Sequence, residues 1–212
     1  MGLLDWLRSS RSAPPVSLDD IRRSFNEAAA DEEHFPSTID PRIFHVRLIA
    51  DFLSELQPRR VADIGSGKGR FARVLKAQYP SAEFVAFDLA EAMLRVVPSD
   101  IRTCCGSMTE LPFASNAFDA AYATESLEHA VDIERAVHEL CRIVRPGGRI
   151  VIIDKNAEHW GRLKTPAWEK WFRRETLEKL LRRDCSQVSS QLISYWEDVP
   201  PDGLFLAWTA IR

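Results

Sequence analysis

The feature that most constrains the fold is the run D-I-G-S-G-K-G from Asp63 to Gly69, which follows a short apolar stretch and precedes a helical pattern. Glycines allow a backbone to turn sharply and to approach a ligand without a Cβ in the way. In an open parallel sheet such a turn lies at the carboxyl end of a strand, where ligands bind. The run therefore predicts a parallel α/β sheet with a ligand site at the end of its first strand.

The rest of the chain alternates strand and helix patterns, which indicates a mostly parallel sheet with helices on both faces. The last two strand-like segments are joined by the turn Pro200-Pro201-Asp202-Gly203 and are predicted to form an antiparallel C-terminal pair. We therefore expect an α/β fold with a seven-stranded sheet. The predicted strands are Arg60–Ile64, Phe84–Phe87, Ile101–Cys105, Phe118–Ala123, Arg149–Ile153, Gln187–Trp196 and Leu204–Ile211.

The length of 212 residues favours one domain. We expect it to span residues 17–212 and to begin with a helical cap at residues 17–57. Residues 1–16 are predicted to be an appendage. Two interpretations of it stay open: weak contact of the apolar residues 1–8 with a membrane surface, or a terminus packed loosely on the domain.

Three local patterns predict helices that bear on the cap and the tail. Ser17-x-x-Asp20 resembles a capping box and predicts a helix to about residue 31. Asp40-Pro41 predicts the N-cap and the first residue of a second helix. Apolar and charged residues at helical spacing predict a helix over residues 168–183.

Composition and charge disfavour several classes of function. The formal net charge of −3 lacks the basic excess typical of proteins that bind duplex nucleic acid, so no DNA partner is expected. The four cysteines form no C-x-x-C pair, which disfavours a disulfide framework and a thiolate zinc site and favours a cytoplasmic protein. No apolar run approaches the roughly 20 residues that cross a bilayer, so no transmembrane segment is predicted.

The acidic residues near the glycine run narrow the choice of ligand. Asp88 ends the predicted second strand at the distance typical of a carboxylate that binds ribose hydroxyls. Asp63 precedes the first glycine by two residues, where a carboxylate suits a cationic amino group better than a pyrophosphate. The spacing is G-x-G-x-G, and no Walker lysine-serine pair follows, which disfavours a nicotinamide oxidoreductase and a nucleoside triphosphatase.

Taken together, the motifs resemble those of the class I S-adenosylmethionine (SAM)-dependent methyltransferases, which implies a Rossmann-like fold. The glycine run matches the first motif of that family. Further matching segments are F-D-L-A-E-A-M-L from Phe87, L-P-F from Leu111 followed by A-F-D from Ala117, and E-L-x-x-I-V-R-P-G-G from Glu139.

The resemblance implies a role for each matching residue. Asp63 and the glycines Gly65, Gly67 and Gly69 would hold the methionine part of SAM. Asp88 would bind the ribose hydroxyls. The adenine-binding residues would be Leu89, Ser107 and Met108, with Thr124 also in contact with the cofactor. Ser107 departs from the aspartate common in this family, which predicts weaker binding of the adenine or help from another residue.

The segment T-E-S-L-E-H from Thr124 is the expected place of the chemistry. In a helix, Glu125, Glu128 and His129 would share a face, and two carboxylates with an imidazole suit Mg²⁺ or Mn²⁺. The E-x-x-E-H pattern resembles that of metal-dependent O-methyltransferases of quinone precursors and of RNA ends. Three interpretations stay open: a metal site with His159 as a fourth ligand, His129 and Glu125 as catalytic residues without a metal, or a structural role.

These observations predict a SAM-dependent enzyme that methylates an oxygen or nitrogen of a small-molecule, lipid-linked or saccharide-linked acceptor. An RNA-end 2′-O-methyltransferase is an alternative, although the sequence lacks an obvious basic stripe. A non-catalytic SAM-binding regulatory protein is another, favoured only by Ser107. In similar enzymes the N-terminal segment forms a lid, which here would bring His34, Arg42 and His45 over the cofactor. The sequence does not indicate an oligomeric state.

Overall fold

The computed structural model describes residues 16–196 and 198–212. Most of the predicted appendage, including the apolar residues 1–8, therefore lies outside the described residues. Within the described ranges, the helices are too short or too polar for any of them to span a bilayer.

A seven-stranded sheet forms the centre of the molecule, with the strand order β3-β2-β1-β4-β5-β7-β6. The first five strands are parallel, whereas β7 is antiparallel to both β5 and β6. The predicted α/β fold with an antiparallel C-terminal pair is confirmed. The strands are β1 Arg60–Ile64, β2 Glu83–Asp88, β3 Arg102–Cys105, β4 Phe118–Thr124, β5 Val144–Lys155, β6 Ser186–Ile193 and β7 Phe205–Ile211.

Helices cover both faces of this sheet, as expected. On one face, Val46, Ile49 and Leu75 pack against Phe84 and Val151. On the other face, Leu140 and Leu177 are among the residues that pack with Phe118, Ile150 and Trp208. The helices are α1 Leu18–Ala28, α2 Phe44–Ser54, α3 Arg70–Gln78, α4 Glu91–Leu94, α5 Ile133–Ile143 and α6 Arg174–Leu181, with 3-10 turns at Leu127–His129 and Ala157–His159.

The start of the N-terminal cap follows the sequence prediction closely. The Ser17 side chain accepts a hydrogen bond from the backbone N–H of Asp20, and the Asp20 side chain accepts one from the N–H of Ser17, so the capping box is confirmed. The second helix begins later than predicted, at Phe44 rather than at Pro41. The Phe44 N–H donates to the carbonyl of Tyr195, and Asp40 pairs with Arg42 instead of capping a helix.

The helix predicted over residues 168–183 is also shorter, because its first part is bound to the sheet. Phe172 donates its N–H to the carbonyl of Lys155, Ala157 donates to the carbonyl of Phe172, and an isolated bridge joins Asn156 to Phe172. These contacts engage backbone groups that a helix would otherwise use. Within residues 168–183, only Arg174–Leu181 is α-helical.

Candidate functional site

The glycine run forms a tight turn between β1 and α3, with positive φ angles at Gly65, Gly67 and Gly69. A Cβ placed on Gly65 would collide with Cβ and Oγ of Ser126, the residue whose hydroxyl donates to the Ile64 carbonyl. No atom lies within 4 Å of the position of a Cβ on Gly67. Gly65 is therefore required for close packing, whereas Gly67 borders open space.

Asp88 ties this turn to the end of β2. Its Oδ2 accepts the backbone N–H of Gly67 at 2.7 Å, and its Oδ1 accepts that of Ala90 at 2.8 Å. Each carboxylate oxygen retains further capacity to accept a hydrogen bond. The pKa of Asp88 is raised by burial, against the effect of the backbone donors. The carboxylate is thus held rigidly beside the glycine turn.

Asp63 lies deeper, at the end of β1, and burial raises its pKa to about 7. The hydroxyl of Tyr122, which contacts this carboxyl group, lowers the pKa and so partly offsets the burial. Among the described residues that line the cleft, three others have a buried polar atom without a hydrogen-bond partner: Ser66 Oγ, Thr124 Oγ1 and His129 Nδ1. Because unpartnered buried polar groups are costly, three of them around one cleft indicate a polar ligand.

The cleft lies at the carboxyl ends of β1, β2 and β4, and its empty space, together with the open solvent at its mouth, is about 1030 Å³. Of the predicted cofactor residues, only Gly69 does not line it; this glycine is the N-cap of α3 and faces Val97. The predicted residues that do line it are Asp63, Gly65, Gly67, Asp88, Leu89, Ser107, Met108 and Thr124.

Ser107, the departure from the family pattern, has its hydroxyl engaged locally. Its Oγ lies 2.7 Å from Oγ1 of Thr109 and also accepts the Thr109 N–H at 3.3 Å. The hydroxyl therefore stabilises the turn after β3. An O–H group can accept more than one hydrogen bond, so these local contacts do not block the adenine. The contact of Ser107 with the adenine stays a prediction.

The N-terminal segment Leu18–Pro36, which we call the lid, covers the cleft. Lys68 of the glycine run donates to the Asp31 carbonyl at 3.2 Å and to Oε1 of Glu32 at 2.5 Å, although its side chain is only 1% exposed. Asn26 accepts the N–H of Ala92 at the start of α4. The sequence predictions missed these contacts of Lys68 and Asn26, and the only signal was the position of Lys68 within the glycine run.

Two of the three predicted lid residues do not belong to the cleft. Only His34 lines it. Arg42 is exposed, and His45 is fully buried on α2 against the rings of Tyr195 and Phe205. The predicted contact with the cofactor is wrong for Arg42, which is exposed in the turn before α2, and for His45, which α2 encloses among aromatic rings and which does not line the cleft.

The turn after β4 is not the α-helix that the metal prediction assumed. Glu125 has a φ of 51°, and within the segment from Thr124 to His129 only Leu127–His129 is helical, as a 3-10 turn. As a result the two glutamates point in different directions. Glu125 lines the cleft and pairs with Arg70 at 3.1 Å, whereas Glu128 is fully buried and contacts the ammonium group of Lys155.

His129 lines the cleft next to the lid, with its ring 4.9 Å from that of Phe25. Its Nε2 lies 3.6 Å from Oε1 of Glu128. Burial, together with the positive charge of Lys155, lowers the pKa of His129 to about 3. The imidazole is therefore neutral near pH 7 and a weak base, although a neutral imidazole still has one nitrogen that accepts hydrogen bonds.

The predicted metal site of Glu125, Glu128 and His129 does not form as a unit. Among the described residues, the group whose ligand atoms lie close enough together to hold an ion is Glu128, His129 and Glu169, without Glu125 or His159. Lys155 places its ammonium group between the two glutamates, 3.2 Å from Oε1 of Glu169. The two buried glutamates therefore already have a positive charge as their partner.

Comparisons with known proteins agree with the chemistry of this cleft. A family model described as a methyltransferase domain matches residues 62–152. The malonyl-[acyl-carrier protein] O-methyltransferase of Methylococcus capsulatus is 35% identical over 99 residues, which are 44% of this chain and 36% of that protein. The demethylmenaquinone methyltransferase of Thermus thermophilus is 33% identical over 115 residues, 51% of this chain and 52% of that protein. The matched part of the chain thus spans about half or less of the length of these relatives.

A solved structure extends the similarity to nearly the whole chain. The 1,6-didemethyltoxoflavin-N1-methyltransferase of Burkholderia thailandensis, with its substrate and S-adenosylhomocysteine (SAH) bound, superposes with a TM-score of 0.67 at 21% identity. The match covers 95% of this chain and 92% of that one. At this identity the likeness shows the fold alone.

Proposed function

Given that the chain belongs to the class I SAM-dependent methyltransferase family, we propose that it transfers the methyl group of SAM to an oxygen or nitrogen of a small-molecule acceptor. One observation carries the proposal: Ser66, Thr124 and His129 leave buried polar atoms without partners around a single cleft that the carboxyl groups of Asp63 and Asp88 also line. The carboxyl groups, Ser66 and Thr124 suit the cofactor, and His129 suits the acceptor. We also propose residues 17–212 as one domain with residues 17–57 as its cap.

The cofactor half of the cleft suits the amino acid and nucleoside parts of SAM. The buried carboxyl group of Asp63 would accept hydrogen bonds from the amino group, and Asp88 would bind the ribose hydroxyls. Leu89 and Met108 would pack against the adenine, next to Ser107. SAM supplies a methyl group that is already activated by the sulfonium charge, so these residues need only bind and orient it.

The rest of the cleft, the acceptor half, would hold the acceptor. Its lining combines apolar residues with polar ones, namely Phe25, Phe35, Phe71, Ala130, His129 and the Arg70–Glu125 ion pair. This lining favours an acceptor with an apolar body and a reactive hydroxyl or amine, such as a quinone precursor or a lipid-linked molecule. The neutral imidazole of His129 would accept a hydrogen bond from the nucleophile and orient it toward the methyl group, and the proton would leave to solvent with the product. The lid would exclude water during the transfer.

Binding and turnover can be tested separately. Calorimetry with SAH tests the cofactor half, with Asp88→Asn as the matched variant of weakened binding. Mass spectrometry after incubation of SAM and protein with extracts of the source cell tests transfer to an acceptor. Methylation of a small molecule by the wild type but not by Asp88→Asn would support the proposal.

Tight SAH binding without transfer to any component of the extract would instead favour the non-catalytic SAM-binding protein. Transfer confined to RNA would favour the RNA-end 2′-O-methyltransferase. Absence of SAH binding by the folded wild type would overturn the proposed function altogether.

A further inference from the structure

Behind the cleft, a buried ionic cluster contacts the turn that carries His129. The carboxyl groups of Glu128, Asp154 and Glu169 are all buried, and the ammonium group of Lys155 contacts both glutamates. The N–H of Glu128 donates to Oδ2 of Asp154 at 3.3 Å. None of these four residues lines the cleft described above, so a direct contact with cofactor or acceptor does not account for them.

Burying such a cluster costs free energy, so a contribution to stability does not by itself explain it. Transferring charged groups out of water costs several kcal/mol per ion, and buried ion pairs are often no more stabilising than apolar residues of similar volume. Glu169 is fixed further by the indole N–H of Trp171, which donates to its Oε1 at 2.7 Å. The cluster therefore holds Glu128, and with it the adjacent His129, in a defined place.

The loop between β5 and α6 also holds the backbone on both sides of His129. The N–H of Lys170 donates to the Glu128 carbonyl at 2.9 Å. The ammonium group of Lys170 donates to the carbonyls of Ala130 at 2.9 Å and Val131 at 3.0 Å. One lysine from a distant part of the chain thus contacts three residues around His129.

We infer that Lys155 and Lys170 are positioning residues that orient the imidazole of His129 toward the acceptor half of the cleft. Lys155 acts through Glu128, whose Oε1 lies 3.6 Å from Nε2 of His129. Lys170 acts through the backbone. This inference rests on the proposed role of His129 in methyl transfer.

The test compares Lys155→Met and Lys155→Arg with the control Lys164→Met, which alters an exposed lysine of the loop between β5 and α6. The ¹⁵N chemical shifts of the His129 ring report its protonated nitrogen and surroundings, and those of the exposed His138 serve as an internal reference. We expect Lys155→Met to move the His129 signals and leave those of His138 unchanged. Lys155→Arg should restore them in part, because it retains the charge.

On an acceptor found in the extract screen, Lys155→Met should lower kcat by about 100-fold, the range for a misplaced orienting group. The Kd for SAH should stay within about twofold, because the cofactor contacts are separate. If Lys155→Met does not fold, Lys170→Met at an exposed side chain gives the same readout through Ala130 and Val131.

Unchanged His129 signals in a folded Lys155→Met or Lys170→Met variant would overturn the inference. Failure of the proposed function is distinguishable, since it would appear as absent SAH binding or absent transfer by the wild type. With or without transfer by the wild type, the ring signals of His129 show whether Lys155 and Lys170 position its imidazole.

Discussion

Gly67 and Asp88 are joined by a hydrogen bond of 2.7 Å from the backbone N–H to Oδ2, which connects the turn after β1 to the end of β2. The two residues lie at the carboxyl ends of neighbouring parallel strands, the usual binding edge of such a sheet. The carboxylate that would bind the cofactor therefore also fixes the loop that surrounds it.

Replacing Asp88 by alanine should weaken SAH binding by about 10- to 100-fold, because hydrogen bonds to a charged group contribute roughly 1.5–3 kcal/mol. Asp88→Asn should have an intermediate effect, since it keeps one acceptor oxygen. Calorimetry measures both, with Asp100→Ala at an exposed position as the control. Equal affinities for the wild type and Asp88→Ala would contradict the assignment.

Gly65→Ala should destabilise the protein by roughly 2–5 kcal/mol, the sum of a left-handed backbone strain and a steric overlap. The overlap is with Ser126. Gly161→Ala is the matched control, because Gly161 also has a positive φ but no atom within 4 Å of an added Cβ. Urea unfolding should show a loss of only about 1–2 kcal/mol for the control. Equal losses would argue against close packing at Gly65.

Asp63 should make the free protein less stable as the pH rises. Its pKa is about 7 in the folded state because of burial, against about 3.9 when unfolded, so the folded state binds more protons in this window. Stability contributed by Asp63 is present below pH 4 and is lost between about pH 4 and 7, by at most roughly 1.4 kcal/mol per pH unit. Other buried carboxyl groups remain in both proteins, so the comparison with Asp63→Asn isolates this residue.

Urea unfolding at pH 5 and pH 8 measures the effect. The wild type should lose more stability between the two pH values than Asp63→Asn does. Parallel changes in the two proteins would show that Asp63 is not protonated in the folded state.

Exchanging the charges of Lys68 and Glu32 tests how the lid is held. The ion pair, in which hydrogen bonding to Lys68 lowers the pKa of Glu32 to about 2, joins the glycine turn to the lid. Lys68→Glu and Glu32→Lys should each speed the dissociation of SAH, because like charges oppose lid closure. The double variant should recover part of the slow dissociation, measured by stopped-flow fluorescence. Additive effects of the two substitutions would refute the coupling.

Loss of the His129 side chain should lower kcat without loss of cofactor affinity. His129→Ala is expected to reduce kcat by about 100-fold, as for loss of a group that orients the nucleophile. Chelation by EDTA should leave wild-type kcat unchanged, because the ammonium of Lys155 already lies between Glu128 and Glu169. An activity that disappears in EDTA and returns with Mg²⁺ or Mn²⁺ would instead establish a metal.

Several features could be predicted from the sequence because they depend on neighbours along the chain. The glycine run, Asp63 and Asp88 lie at strand ends, and parallel strands bring their carboxyl ends to one edge. The capping box at Ser17 and Asp20 is likewise a local pattern. The sheet and the edge with the proposed cofactor site could therefore be predicted from the sequence alone.

The sequence by itself determined the seven-stranded sheet and the strand ends that form its binding edge, since strand periodicity and turn residues act locally. Only the tertiary structure decided what each side chain contacts. Glu125 and Glu128 are three residues apart, yet one pairs with Arg70 and the other with Lys155. The left-handed backbone of Glu125 and the burial of Glu128 separate them, and both depend on segments that are distant in sequence.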